Sequence, residues 1–240
     1  MTPTLHLYGL GAAPFTEKVV RALRLKRLPF ELHEPETAED YRRWNPETGL
    51  LPLLDLGGER VHDSTAILLR LDERFPDPPL LARDPRTAAA QQRLEEWADE
   101  SFFWYWLRWQ GTQPQSVAIP VQRALADARP GVDPPAVGLT HAVRSLGARL
   151  RRRFAEKSPA RPSDAARIRD ELDQRLQDLV RLLAGRPFFY SERVSMADLA
   201  VFAMLRSLAG DSIPGGANLL ARRAELLAFM RRVEDATGGP

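Results

Sequence analysis

Apolar and polar positions change their period several times along the first eighty residues. Leu5 and Leu7 alternate with His6 and Tyr8, and the run stops at Gly9-Leu10-Gly11, which predicts a short strand entering a loop. Phe15, Val19, Ala22 and Leu23 then recur at helical spacing behind Pro14, a residue suited to a helix's first turn. Beyond Pro29, Phe30 to His33 reads as a second strand, and two strands joined through a helix normally lie parallel in one sheet. Ala38 to Trp44 is expected as a short helix, ended by Asn45-Pro46 and Thr48-Gly49.

From Gly49 the chain reads GLLPLLDLGGERVHDSTAILL. Pro52 stands where a strand should start, which suits a residue without an N–H donor, and Leu51–Pro52 is a candidate cis peptide. Gly57-Gly58 predicts a hairpin turn, and Asp63-Ser64 opens a helix with Ile67, Leu68, Leu71 and Phe75 on one face. The expected order is β-α-β, a short helix, then β-β-α.

The proline-rich run Phe75 to Pro79, with Asp84-Pro85 behind it, divides the chain into residues 1–80 and an all-helical second domain, residues 86–240. In the second part Arg86 to Trp109 reads as a helix apolar on more than one side, with Leu94, Trp97, Ser101 and Trp104 on one stripe and Phe102, Trp106 and Trp109 on another. Prolines interrupt every pattern between Gly111 and Pro162. Leu139, Val143, Leu146 and Leu150 support one helix there, and the basic run Arg149 to Arg153 reads as its solvated end, favoured by the helix dipole. Ser163 is expected to cap a helix carrying Ile168, Leu172, Leu176, Leu179 and Leu183. Ser195-Met196-Ala197-Asp198 is a capping box, and Val194 with Leu199 is its candidate hydrophobic staple.

Composition narrows the chemistry. With 240 residues and 44% hydrophobic content, the chain can bury a sizeable core. The net charge of +2 gives no reason to expect nucleic-acid binding. Cysteine is absent, so disulfides, zinc–thiolate sites and a cysteine nucleophile are all excluded, and any thiol chemistry must use a thiol brought by a ligand. The N-terminus lacks a signal pattern and no stretch is long enough to span a bilayer, so the protein is expected in the cytoplasm. His6, His33, His62 and His141 show no metal-ligand spacing and are read as strand or surface residues, with no metal expected.

The ordered fragments together resemble a glutathione transferase. They are the Leu-Tyr strand entering Ala13-Pro14-Phe15-Thr16-Glu17-Lys18-Val19, Leu28-Pro29-Phe30-Glu31, Asn45-Pro46 with Gly49 to Leu54, Asp63-Ser64-Thr65-Ala66-Ile67, and Ser195 to Ala200. The resemblance covers nearly the whole chain. It implies an α/β thioredoxin-like N-terminal domain joined to an all-α C-terminal domain, a homodimer, and glutathione as co-substrate. Residue by residue, it implies that Leu51, before Pro52, pairs its backbone with the cysteinyl part of glutathione, much as a strand adds to a sheet edge. Asp63 and Ser64 would hold the γ-glutamyl end, the ammonium on Asp63 and the carboxylate on Ser64 and the helix's N–H groups. Capping of the helix is the simpler role for the same pair.

Two departures stand out. Where the family often has a basic or amide residue for the glycine carboxylate, this chain has Leu50, with Arg43 the nearest replacement. At the positions of the usual Ser or Cys that activates the thiol stand Ala12 and Ala13, leaving Tyr8, Thr16 or the N–H groups behind Pro14 to favour the thiolate. Phe15, Phe102, Trp106 and Trp109 are the candidates for lining an apolar electrophile pocket. Three readings stay open: a transferase joining the glutathione thiolate to a small apolar electrophile, a non-catalytic binding or scaffold protein of the same fold, and a glutathione-dependent peroxidase, dehalogenase or isomerase.

Overall fold

A computed structural model describes residues 4–112, 165–210 and 215–238, with the backbone alone over 101–112. Its first unit runs β1 (Leu5–Tyr8), α1 (Pro14–Leu25), β2 (Phe30–His33), α2 (Ala38–Trp44), β3 (Leu53–Asp55), β4 (Arg60–His62) and α3 (Ser64–Arg74). The strands form one mixed sheet in the order β2-β1-β3-β4, with β1 and β2 parallel and the other pairs antiparallel. Strand alternation sends Leu5, Leu7 and Leu54 to one face, where they are buried with Val19 and Leu23 of α1 and Ile67, Leu68 and Leu71 of α3. The opposite face carries His6, Tyr8, Glu31 and His33, and Trp44 of α2 packs against Tyr8 at 5.0 Å between ring centroids.

The remaining named elements are helices: α4 (Pro85–Thr112), α5 (Ala165–Leu183), α6 (Met196–Ala209), α7 (Gly216–Ala221) and α8 (Ala224–Ala236). Helix α6 is the shared element, buried along most of its length and packed against both α4 and the sheet unit's α1. A helix so largely apolar is stable only with neighbours on most sides. Its start is fixed by the expected box: Asp198 Oδ2 accepts from the Ser195 N–H (2.8 Å) and hydroxyl (2.6 Å), while Oδ1 accepts from the Phe189 N–H (2.8 Å).

Two enclosed cations of the sheet unit hold the second unit and the connection to it, respectively. Arg21 of α1 lies 4.8 Å over the Phe202 ring of α6, donating to Glu17 Oε1 (2.7 Å) and to the Thr237 hydroxyl (2.9 Å). Lys26 donates to Asp72 Oδ1, the Phe75 carbonyl and the Pro78 carbonyl, so the proline-rich connection is pinned rather than slack. The Met196 N–H donates to the Leu80 carbonyl and holds the end of that connection against the start of α6.

Sequence expectations and structure agree closely for α1, α2 and the hairpin, and Leu51–Pro52 is cis. Asp77–Pro78 is also cis, which the sequence reading did not anticipate. Helix α8 went unread, although Leu226, Phe229, Met230 and Val233 recur at helical spacing and are buried. The helix expected at Leu139 to Leu150, the basic run Arg149 to Arg153 and the Ser163 cap lie outside the described residues.

Candidate functional site

The β3–β4 hairpin brings two local features face to face. Leu53 pairs with His62, so the next residues outward, Pro52 and Asp63, sit beside one another where β3 begins and α3 starts. Leu51 precedes the paired strand and makes no backbone–backbone hydrogen bond among the described residues. Such an open backbone edge is a ready partner for an extended peptide-like ligand. Asn45, buried at the end of α2, holds the approach to it: its Nδ2 donates to the Leu50 carbonyl (2.8 Å) and the Thr48 hydroxyl (2.7 Å). The Thr48 hydroxyl accepts in turn from the Leu50 N–H at 3.1 Å. Sequence reasoning read Asn45 only as a helix stop.

Asp63 adopts φ 75° and ψ 123°, an uncommon backbone for a residue with a side chain, with a cost of about 1–3 kcal/mol. Its Oδ1 accepts from the Thr65 N–H (2.9 Å) and the Ala66 N–H (3.0 Å). This corrects the expectation that those amides await a ligand carboxylate: Asp63 already caps them. At this helix start the Ser64 backbone N–H makes no backbone–backbone bond among the described residues, and the Ser64 side chain is nearly buried.

Beneath this corner lies a buried charge cluster that sequence reasoning missed. Lys18 of α1 donates to Glu95 Oε1 and to Asp99 Oδ2 of α4, both at 2.6 Å, and reaches the Thr65 hydroxyl at 3.3 Å. Thr65 donates to Glu95 Oε1 at 2.6 Å. One cation therefore serves two carboxylates, and Glu95 Oε2 and Asp99 Oδ1 are left without partners. Burial pushes the Asp99 carboxyl up; Lys18 pulls it down, Glu95 and Asp63 repel it, and the result is about 7. Burial alone would push Lys18 down, but the attraction of Asp99 and Glu95 outweighs it and holds the ammonium above the ordinary lysine range. The cluster thus holds more carboxyl groups than cations.

The other named residues divide clearly. Thr16 is only 1% exposed, and a methyl group added at Gly9 would fall 2.5 Å from its Oγ1, so its side chain is packed onto the end of β1. The Thr16 hydroxyl is thus held against the Gly9 backbone at the start of the loop that leads into α1. Tyr8 is half-buried on the sheet's polar face, stacked on His33 (4.8 Å, 20°) with the Arg60 guanidinium 5.6 Å from its ring. Ala13 is the N-cap of α1 and provides no side-chain cap, with Pro14 following at the first helical position. Arg43 is paired with Asp40 Oδ1 at 2.6 Å, whereas its neighbour Arg42 makes no ion pair among the described residues and lays its stem toward Gly49, which leads into Leu50 and Leu51. Phe15 packs partly against the core, and the side chains of Phe102, Trp106 and Trp109 lie outside the described residues. Two open concavities, of about 360 and 280 Å³, lie elsewhere, against α8 and beside the proline-rich connection.

A four-stranded mixed sheet with an open backbone edge beside a helix N-terminus, backed by a helical unit, defines a thioredoxin-like architecture. Residues 7–79 match the family model described as glutathione S-transferase, N-terminal domain, and residues 162–232 match that of the C-terminal domain. The chain belongs to the glutathione transferase family, with a thioredoxin-like first domain and an all-α second one. It is 37% identical over 86 residues to glutathione S-transferase Z1 of Arabidopsis thaliana, a match covering 33% of this chain and 38% of that protein. FtsZ-localized protein A of Caulobacter vibrioides is 35% identical over 106 residues, 41% of this chain and 45% of the relative. The matches thus span less than half the length of these curated relatives. Among solved structures, the beta-etherase LigF from Sphingobium superposes with a TM-score of 0.66 at 20% identity, covering 97% of this chain and 95% of that one. A Methylobacterium radiotolerans glutathione S-transferase in complex with glutathione sulfonate gives 0.60 at 24% identity, covering 99% and 96%. No described helix is long and apolar enough to cross a membrane.

Proposed function

We propose that the chain binds glutathione between Leu51 and the start of α3 and transfers its thiolate to a small apolar electrophile, as a cytoplasmic homodimer. The observation that carries this reading is the unpaired Leu51 backbone lying beside Asp63 and Ser64. The cysteinyl unit adds to that edge as a strand would. The γ-glutamyl ammonium turns toward Asp63 and the carboxyl groups of Glu95 and Asp99 behind it, and the carboxylate takes the N–H of Ser64. Arg42 is better placed than Arg43 for the glycine carboxylate, because Arg43 is engaged with Asp40.

The thiolate is stabilised by the α1 N-terminus, where Ala13 brings no competing cap and the helix dipole favours an anion. Tyr8 supports that corner through its stacked ring. Phe15, packed partly against the core, flanks the co-substrate side, and the sequence of Phe102, Trp106 and Trp109 on α4 suits a flat apolar electrophile.

A second reading, a binding protein without turnover, is favoured by the combination of Ala12, Ala13 and an enclosed Thr16. FtsZ-localized protein A, whose name describes localisation and not a reaction, is a relative consistent with it. Calorimetry with glutathione, together with turnover of a chloronitrobenzene substrate, separates the readings. Binding with turnover supports the transferase, binding without turnover supports the second reading, and no binding at millimolar glutathione overturns the transferase and leaves a scaffold role.

A further inference from the structure

The parallel register of β1 and β2 sets His6 opposite Glu31 and Tyr8 opposite His33, all on the sheet face away from α1 and α3. Residues separated by 27 positions in the chain meet there: His6 Nδ1 lies 3.0 Å from His33 Nε2. Glu31 Oε2 completes a triangle, 3.5 Å from the first nitrogen and 3.9 Å from the second. All three corners of such a triangle lie about 2.0 Å from its centre, which matches the Zn–N and Zn–O distances of about 2.0–2.2 Å. We propose that His6, Glu31 and His33 form a binding site for one divalent transition-metal ion of the zinc class.

The donor set fixes the class of ion. Two neutral imidazoles and one carboxylate carry a single negative charge and suit zinc, nickel or copper, whereas calcium and magnesium require oxygen ligands throughout. The ring of His33 is already oriented, stacked on Tyr8 at 4.8 Å and 20°, so binding costs little reorganisation there. The three side chains are partly open to solvent, His6 at 41%, Glu31 at 62% and His33 at 37%, so water completes the coordination. The ion would staple the edge strand β2 to β1. Asp55 lies opposite His6 on the far side of β1 and adds a further acidic neighbour on the same face.

The site is tested on the untagged full chain, freed of metal with a chelator and titrated with zinc chloride in the absence of any thiol. One ion per chain at micromolar affinity is expected. Loss of a direct ligand should cost at least about tenfold, so His6→Ala, His33→Ala and Glu31→Gln each weaken binding by that factor or more. His62→Ala, on β4, leaves it unchanged. His6→Gln and His33→Gln serve the same comparison if the alanine variants do not fold. Cobalt as a spectroscopic probe should give ligand-field absorption in the wild type that is lost in the histidine variants. Binding only at millimolar zinc, or equal affinity in wild type and the His6 and His33 variants, overturns the proposal.

Discussion

Lys18 on α1 and Asp99 on α4 meet at 2.6 Å although 81 positions separate them, and their pairing joins the sheet unit to the helical one under the candidate ligand corner. A buried cation between two carboxyl groups contributes little net stability when complete, but removing it leaves Glu95 and Asp99 buried without their counter-charge. Lys18→Met should therefore destabilise the protein by about 3–5 kcal/mol, measured by urea denaturation. Replacing Lys18, Glu95 and Asp99 together with apolar residues of similar volume should cost far less. Equal losses in the two variants would show that the cluster is not acting through charge.

Asp99 makes stability depend on pH. Its folded-state carboxyl holds a proton up to about pH 7, whereas the unfolded chain releases it near the ordinary value of 3.8. The folded state thus binds more protons across this window, so this contribution is complete below pH 4 and is lost as pH rises through 7, by on the order of 4 kcal/mol. Asp99→Asn removes the titration. Its stability relative to wild type should rise between pH 4 and 7 and level off above that, and parallel pH profiles for the two proteins would contradict this.

Asn45 prepares the backbone next to the open edge. Asn45→Ala leaves the Leu50 carbonyl and Thr48 without their buried partner, at a cost of about 1–3 kcal/mol. Because the loop then samples other conformations, glutathione affinity should fall as well. Calorimetry alongside denaturation checks both, and an unchanged affinity would mean that the loop is not organised for a ligand.

The two adjacent arginines should separate. Arg42→Ala is expected to weaken glutathione binding by about three- to tenfold, the worth of an exposed charge-assisted hydrogen bond. Arg43→Ala should leave it unchanged, because Arg43 is spent on Asp40. The reverse ranking would return the glycine carboxylate to Arg43.

If the first turn of α1 alone favours the thiolate, Tyr8→Phe should not move the pKa of bound glutathione, read from thiolate absorbance against pH. A rise of one unit or more in that variant would make the Tyr8 hydroxyl the activating group.

What was legible in the sequence is what neighbouring residues decide. Pro52, Gly57-Gly58, Asp63-Ser64 and the Ser195–Asp198 box each act within a few positions, so their signals are local and they appear where expected. Lys18, Glu95 and Asp99 carry no such signal. A charged residue on a helix is ordinarily solvated, and only the packing of α1 against α4 makes these three a unit. His6, Glu31 and His33 were hidden for another reason. Their spacing along the chain is uninformative, and the cluster exists only through the register between two strands. The burial of Thr16 was not legible either, because position in a helix's first turn does not tell how its hydroxyl is enclosed.

Arg21 and Lys18 limit how the chain can be dissected. Both reach, from the sheet unit, groups that a cut near residue 80 would remove: Thr237 and Phe202 for Arg21, Glu95 and Asp99 for Lys18. An excised N-terminal fragment would keep its strands and the Arg21–Glu17 and Lys26–Asp72 pairs, yet expose Lys18 with both of its carboxylates gone. The ligand corner is therefore not a portable module, and grafting it onto another scaffold would require bringing α4 and α6 with it.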